Sequence, residues 1–279
     1  MRQLAGDRDG GYWGRFDMVL DCSGPGEEVV SLSAGGQGFA SFRFWENDRL
    51  EEPGFGLPPG RTGRPSILIS GGGDGGLQEF LRIAYPGMTA SDLYLAVSEP
   101  VRIEVERRIY AAEDAFRRAW VWSANPALDC QTLRALHAEY EAAAKWAAGQ
   151  GQFLPEFDPD QMRRVTVVHS CDHFPVCYPL NHFLACLANQ YMGGDRFRPG
   201  HRLSAVASAD PAVHQCRGKA AECWEHRHQV ELAHSSCGGA EPVKLPQIEE
   251  YDLVILRHGP KAGTPMLSRQ LLPYRLPWK

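Results

Sequence analysis

The chain has 279 residues, 43% hydrophobic and 23% charged, enough apolar content to bury the core of one large domain or two ordinary ones. Its net charge of −5 and its lack of a basic tract argue against general nucleic-acid binding. No apolar run approaches the roughly 18 residues of a membrane span, and the polar opening MRQLAGDRDGG has no hydrophobic signal core, so the expectation is a cytoplasmic protein without membrane contact.

In chain order, RFDMVLDCSGPG reads as a buried strand at 16–20 that runs into a glycine turn. Residues 27–65 are rich in Gly and Pro and predict short strands and loops. The stretch SILISGGGDGGLQEFLRIAY at 66–85 then predicts a strand at Ile67, Leu68 and Ile69, five glycines broken only by Asp74, and a helix over about 77–85. Leu77, Phe80, Leu81 and Ala84 form the apolar face of that helix. A helical insertion follows over about 89–150, with Ile103, Ile109, Phe116, Trp120, Leu133, Leu136, Tyr140 and Trp146 as core candidates. Beyond it lie a strand at 165–168, the turn HSCDHFPVCYPLN, a helix over about 180–192, and strand-like runs at 203–207, 228–233 and 251–256.

The spacing Gly71, Gly73, Gly76 satisfies GxGxxG between a strand and a helix, the context in which that motif holds a pyrophosphate. Gly71 would allow the tight turn, Gly73 the approach of a ligand to the backbone, and Gly76 close packing of helix on strand. Gly72 and Gly75 complete the loop, and the helix N-terminus offers unpaired N–H groups to phosphate. A carboxylate at Asp74 repels a pyrophosphate unless it points away, contacts a ribose or caps the helix. The alternative is a turn that only redirects the chain.

A dinucleotide fold also expects an acidic residue after its second strand. With the insertion separating first helix from second strand, that strand is 165–168 and Asp172 becomes the ribose candidate, His169 and His173 being alternatives. His258 and Gly259 follow the last apolar run and fall at the C-terminal edge of a parallel sheet, which faces the ligand crevice. His258 either meets that crevice or caps a turn.

FDMVLDCSGPG near the start and YDLVILRHGP near the end share an aromatic-Asp-apolar strand followed by a glycine turn. With GxGxxG between them, this arrangement resembles flavin-dependent oxidoreductases that carry two dinucleotide-binding domains. SFRFWENDRLE, ISGGGDGG and CYPLNHFL are also similar to bacterial FAD/NAD(P)-binding proteins. The resemblance implies that 16–24 closes a flavin domain and 251–259 a pyridine-nucleotide domain, with NAD(P)H on the glycine turn. Residues 1–65 are then the remnant or closing segment of a first dinucleotide-binding domain, and 66–279 a Rossmann-like domain with its insertion. No GxGxxG precedes Phe16, so FAD would require a missing region or a flavin-domain partner; a homo-oligomer is the other expected assembly. The expected class is α/β: a Rossmann-like parallel sheet with a helical insertion, helices on both faces, and an incomplete β-rich segment before it.

Two groups of sulfur and imidazole ligands stand out: His169, Cys171, His173, Cys177 and His182, then His214, Cys216, Cys223, His226, His228, His234 and Cys237. Zinc prefers such ligands, and Cys216, Cys223, His226 and Cys237 form the candidate tetrahedral set, although no CxxC pair is present. Without a signal core, the eight cysteines are expected as thiols or ligands. Cys171 between two histidines is either an activated thiol or structural, and Cys186 is expected to pack. The alternatives to an oxidoreductase are a non-catalytic nucleotide-sensing or scaffold module and a zinc-stabilised interaction protein.

Overall fold

A computed structural model describes residues 28–34, 37–44, 50–52, 55, 57, 60–119, 126–151, 165–175, 177–209, 227–235 and 245–259. The strand and turn expected at 16–24 lie outside these residues, as does Trp120. The elements are β1 (Ser31–Ala34), β2 (Gln37–Ala40), β3 (Ile67–Ser70), α1 (Asp74–Ala84), α2 (Ala90–Ala96), α3 (Glu99–Ala119), α4 (Pro126–Gly149), β4 (Val165–His169), α5 (Pro179–Tyr191), β5 (Phe197–Pro199), β6 (His201–Ser208), β7 (His228–His234), β8 (Gln247–Tyr251) and β9 (Leu253–Leu256). They belong to one compact unit, Glu28–Gly259.

The centre is a four-stranded parallel sheet in the order β5-β4-β3-β9. Counted along the chain this is third, second, first, fourth, an order compatible with a Rossmann-like half. Strand β5 is a member that the sequence reading did not include. Between the third and fourth parallel strands the chain forms an antiparallel meander, β6-β7-β8.

Alternation along the parallel strands assigns the two faces. Ile67, Ile69, Val165, Val167, Leu253 and Ile255 belong to the core formed with α1, α5 and the inserted helices. Leu68, Val168, Val254 and Leu256 belong instead to a second core with Val206, Val230, Leu232 and Phe39. The expectation of helices on both faces therefore fails among the described residues. The meander covers the second face, because alternate apolar residues of its strands can shield a sheet as well as a helix stripe can.

The run expected as one strand at 251–256 is two elements. Tyr251 pairs with His228 in the meander, whereas Leu253 pairs with Ile67 in the parallel sheet. The break falls at Asp252, whose Oδ2 accepts hydrogen bonds from the Ser66 amide and hydroxyl, both at 2.8 Å. The Asp of the aromatic-Asp-apolar motif thus pins the start of the first parallel strand to the start of the last.

The inserted helices follow the predicted region as α2, α3 and α4, and α2 opens with a capping box between Thr89 and Asp92. Val101 and Val105 are buried on α3, with Ile109, Ala112 and Phe116 partly buried along the same stripe. Ile103 lies two residues off that stripe and is 60% exposed, contrary to its assignment to the core.

Candidate functional site

Strand β3 ends at Ser70, and the chain turns immediately into α1. Gly71 adopts φ +132°, a conformation that L side chains rarely adopt, and its amide donates to Val168 O at 2.9 Å. A Cβ there would also stand 2.0 Å from the Arg257 carbonyl oxygen. At Gly76 a Cβ would stand 1.9 Å from the Gly71 carbonyl oxygen, so this glycine is what lets α1 press against the turn. At Gly72 it would meet His169 and Phe174 at 2.9 Å. Gly73 differs: a Cβ there finds nothing nearer than Pro175 Cγ at 4.0 Å, and its φ of −79° suits any residue. The fold needs glycine at 71, 72 and 76 but not at 73, where the backbone is open to close approach.

Gly73 is the N-cap of α1, and no side chain caps that terminus, so first-turn N–H groups remain available to an anion. Asp74, expected to point away from a pyrophosphate, to contact a ribose or to cap the helix, does not cap α1 and directs its carboxylate to α5. Its Oδ1 accepts from the Tyr178 amide at 2.8 Å and from Asn181 Nδ2 at 3.0 Å, at the start of α5. Beside it, the Cys177 thiol donates to Pro175 O at 3.1 Å and to Gly72 O at 3.5 Å. Burial, then the Asp74 charge, pushes that thiol well above its ordinary value.

On the neighbouring strand β9, His258 emerges at the same edge. Its Nε2 lies 2.9 Å from Ser70 Oγ, and burial lowers its pKa below 6.5, so the ring is neutral near pH 7. Gly259, at φ +76°, accepts a hydrogen bond from the Val29 amide at 2.8 Å through its carbonyl. The edge thus gathers the glycine turn, Asp74, His258 and Gly259. Asp172 lies three residues beyond β4, is exposed, and pairs with Arg134 of α4. Partial burial opposes ionisation, but the Arg134 hydrogen bond and charge together hold its carboxyl below the usual range.

Behind the turn, Arg257 and Glu79 form a buried ion pair that the sequence reading did not flag. Arg257 also donates to the Phe42 and Leu256 carbonyls, both at 2.8 Å, and lies over the Phe42 ring. The pair anchors α1 to the end of β9.

The candidate zinc ligands Cys216, Cys223, His226 and Cys237 lie outside the described residues, as does His214. Cys171 is disulfide-bonded, which corrects its reading as a free thiol and removes it as a nucleophile. Cys186 is buried, as expected. His169 and His173 are buried, and His173 Nδ1 lies 2.9 Å from the Phe174 carbonyl oxygen. His182 turns to a partner not named from sequence, His137 of α4, with His137 Nδ1 and His182 Nε2 2.8 Å apart. The i, i+4 pair His182 and Cys186 was the available signal, since such residues share one helix face.

No protein-family model, curated protein or solved structure matches the chain. Among the described residues, no helix is long and apolar enough to cross a membrane.

Proposed function

We propose that the chain is a dinucleotide-binding protein of flavoprotein-oxidoreductase type that holds NAD(P)H against residues 71–76. The observation that carries this reading is the division of labour among the glycines. Three of them satisfy close contacts within the protein, while Gly73 faces open space at an uncapped helix N-terminus. The sheet order and the position of the turn at the C-terminal ends of the strands support it, because open α/β sheets bind ligands at that edge.

In this reading the α1 amides hold the pyrophosphate, His258 reaches a phosphate oxygen, and Asp172 approaches a ribose. Ser70 orients the His258 ring through its hydroxyl. NAD(P)H, when bound, supplies a hydride. The sequence contains a single GxGxxG, so a flavin to accept that hydride would come from a missing region or a partner.

The test is a titration of the purified chain with NADH, NADPH and FAD, followed by tryptophan fluorescence. Saturable binding of a pyridine nucleotide that is lost in Gly73→Val supports the reading. Binding of none of the three, or undiminished binding in the variant, returns the stretch to a structural turn.

A further inference from the structure

A separate cluster lies in the helical layer. His137 on α4 and His182 and Cys186 on α5 are all buried, and one ligand atom from each lies within 4.8 Å of the other two. We propose that these three side chains form a binding site for a divalent ion of the zinc class, independent of any nucleotide.

The surroundings fix the ligands. His182 stacks on Tyr140 at 4.0 Å between ring centroids with planes 10° apart, and Phe174 packs edge-on against both imidazoles. Tyr140 is itself held by a hydrogen bond from its hydroxyl to Glu113 at 2.7 Å. Cys186 stands one helical turn beyond His182, so both project from one face of α5. On the other side of the His137 ring, Nε2 lies 3.6 Å from Glu141 Oε1.

Bond lengths of roughly 2.1 Å to nitrogen and 2.3 Å to sulfur place neighbouring donors of a tetrahedral ion about 3.3–3.7 Å apart. The imidazole nitrogens at 2.8 Å must part slightly, and the sulfur must close in. The ion takes the place of the proton shared between the two imidazoles, which passes to the outer nitrogen of whichever ring carries it. Cys186 loses its thiol proton to solvent, so one proton is released per ion and no electron is transferred. A water completes four-coordination.

The experiment loads the full chain with Co²⁺ and records its spectrum, then repeats it in Cys186→Ser. One ion per chain with tetrahedral bands and a thiolate-to-cobalt charge-transfer band is expected, the last absent from the variant. No cobalt binding by the folded chain, or a charge-transfer band that survives in Cys186→Ser, overturns the proposal. Should that variant not fold, X-ray absorption of the zinc-loaded native chain decides: one sulfur with two imidazoles supports the site, and two or more sulfurs overturn it.

Discussion

Arg257 Nη2 lies 2.6 Å from Glu79 Oε1, and the two side chains are 1% and 0% exposed. A carboxylate buried on α1 is tolerable because this guanidinium and, at 3.4 Å, that of Arg82 meet it, since an unpaired charge there would be expelled.

Arg257→Met should therefore cost about 3–5 kcal/mol in urea denaturation, and adding Glu79→Leu should recover much of the loss, because an apolar pair replaces a stranded charge. Burial raises the Glu79 carboxyl above 4.5 against the opposing charges of Arg257 and Arg82. The folded chain thus binds that proton more tightly than the unfolded one. Its contribution to stability falls as pH rises from 4.5 through the raised value, and the cost is complete above it. The deficit of Arg257→Met should shrink in acid. A deficit independent of pH would show that the carboxylate is not what the arginine compensates.

Gly76→Ala and Gly73→Ala should separate fold from ligand. The first forces a methyl to 1.9 Å from the Gly71 carbonyl oxygen and should lower stability by about 1–3 kcal/mol or more. The second meets only Pro175 at 4.0 Å and should cost about 1 kcal/mol, as the loss of a favourable N-cap residue, while weakening NAD(P)H binding. Thermal melts and nucleotide titrations of the two variants check the contrast.

His258 should make nucleotide affinity depend on pH. Its pKa lies below 6.5 in the free chain, and a phosphate beside the ring favours the imidazolium, so binding takes up a proton. Affinity should rise as pH falls from about 8 towards 6, and His258→Gln should flatten the profile. In the free chain the same lowered pKa acts on stability with the opposite sense: stability rises with pH up to about 6.5 and is lost in acid.

Arg134 neutralises Asp172 across an exposed ion pair of little worth to folding. Arg134→Ala should melt like the native chain yet shift nucleotide preference from NADPH towards NADH, since a bare carboxylate repels a 2′-phosphate and suits a ribose hydroxyl. Unchanged relative affinities would remove Asp172 from the ribose site.

What the sequence disclosed followed local rules. GxGxxG and its flanking strand and helix were legible because the turn's geometry lies within six consecutive residues. The insertion was legible as helix from composition, yet Ile103 was misplaced because an apolar residue was counted without its phase relative to Val101 and Val105. Arg134 and His137 were missed because they reach their partners across more than thirty residues of chain, through packing of α4 on the loop after β4 and on α5 that no spacing encodes. The covering of the second sheet face was missed for a related reason: alternation marks a strand but does not name the layer it shields.

Asp74 has a consequence for charge at the sheet edge. Helices α1 and α5 both begin there, each presenting the positive end of its peptide dipoles. The Asp74 carboxylate sits on the amide at the start of α5, so the chain neutralises one pole with its own anion. The same residue is the first of α1, yet no side-chain hydrogen bond caps the amides of that terminus. One carboxylate thus stands between two helix ends and is hydrogen-bonded to only one of them, so an anionic guest finds bare amides at α1 alone, beside a charge it must tolerate.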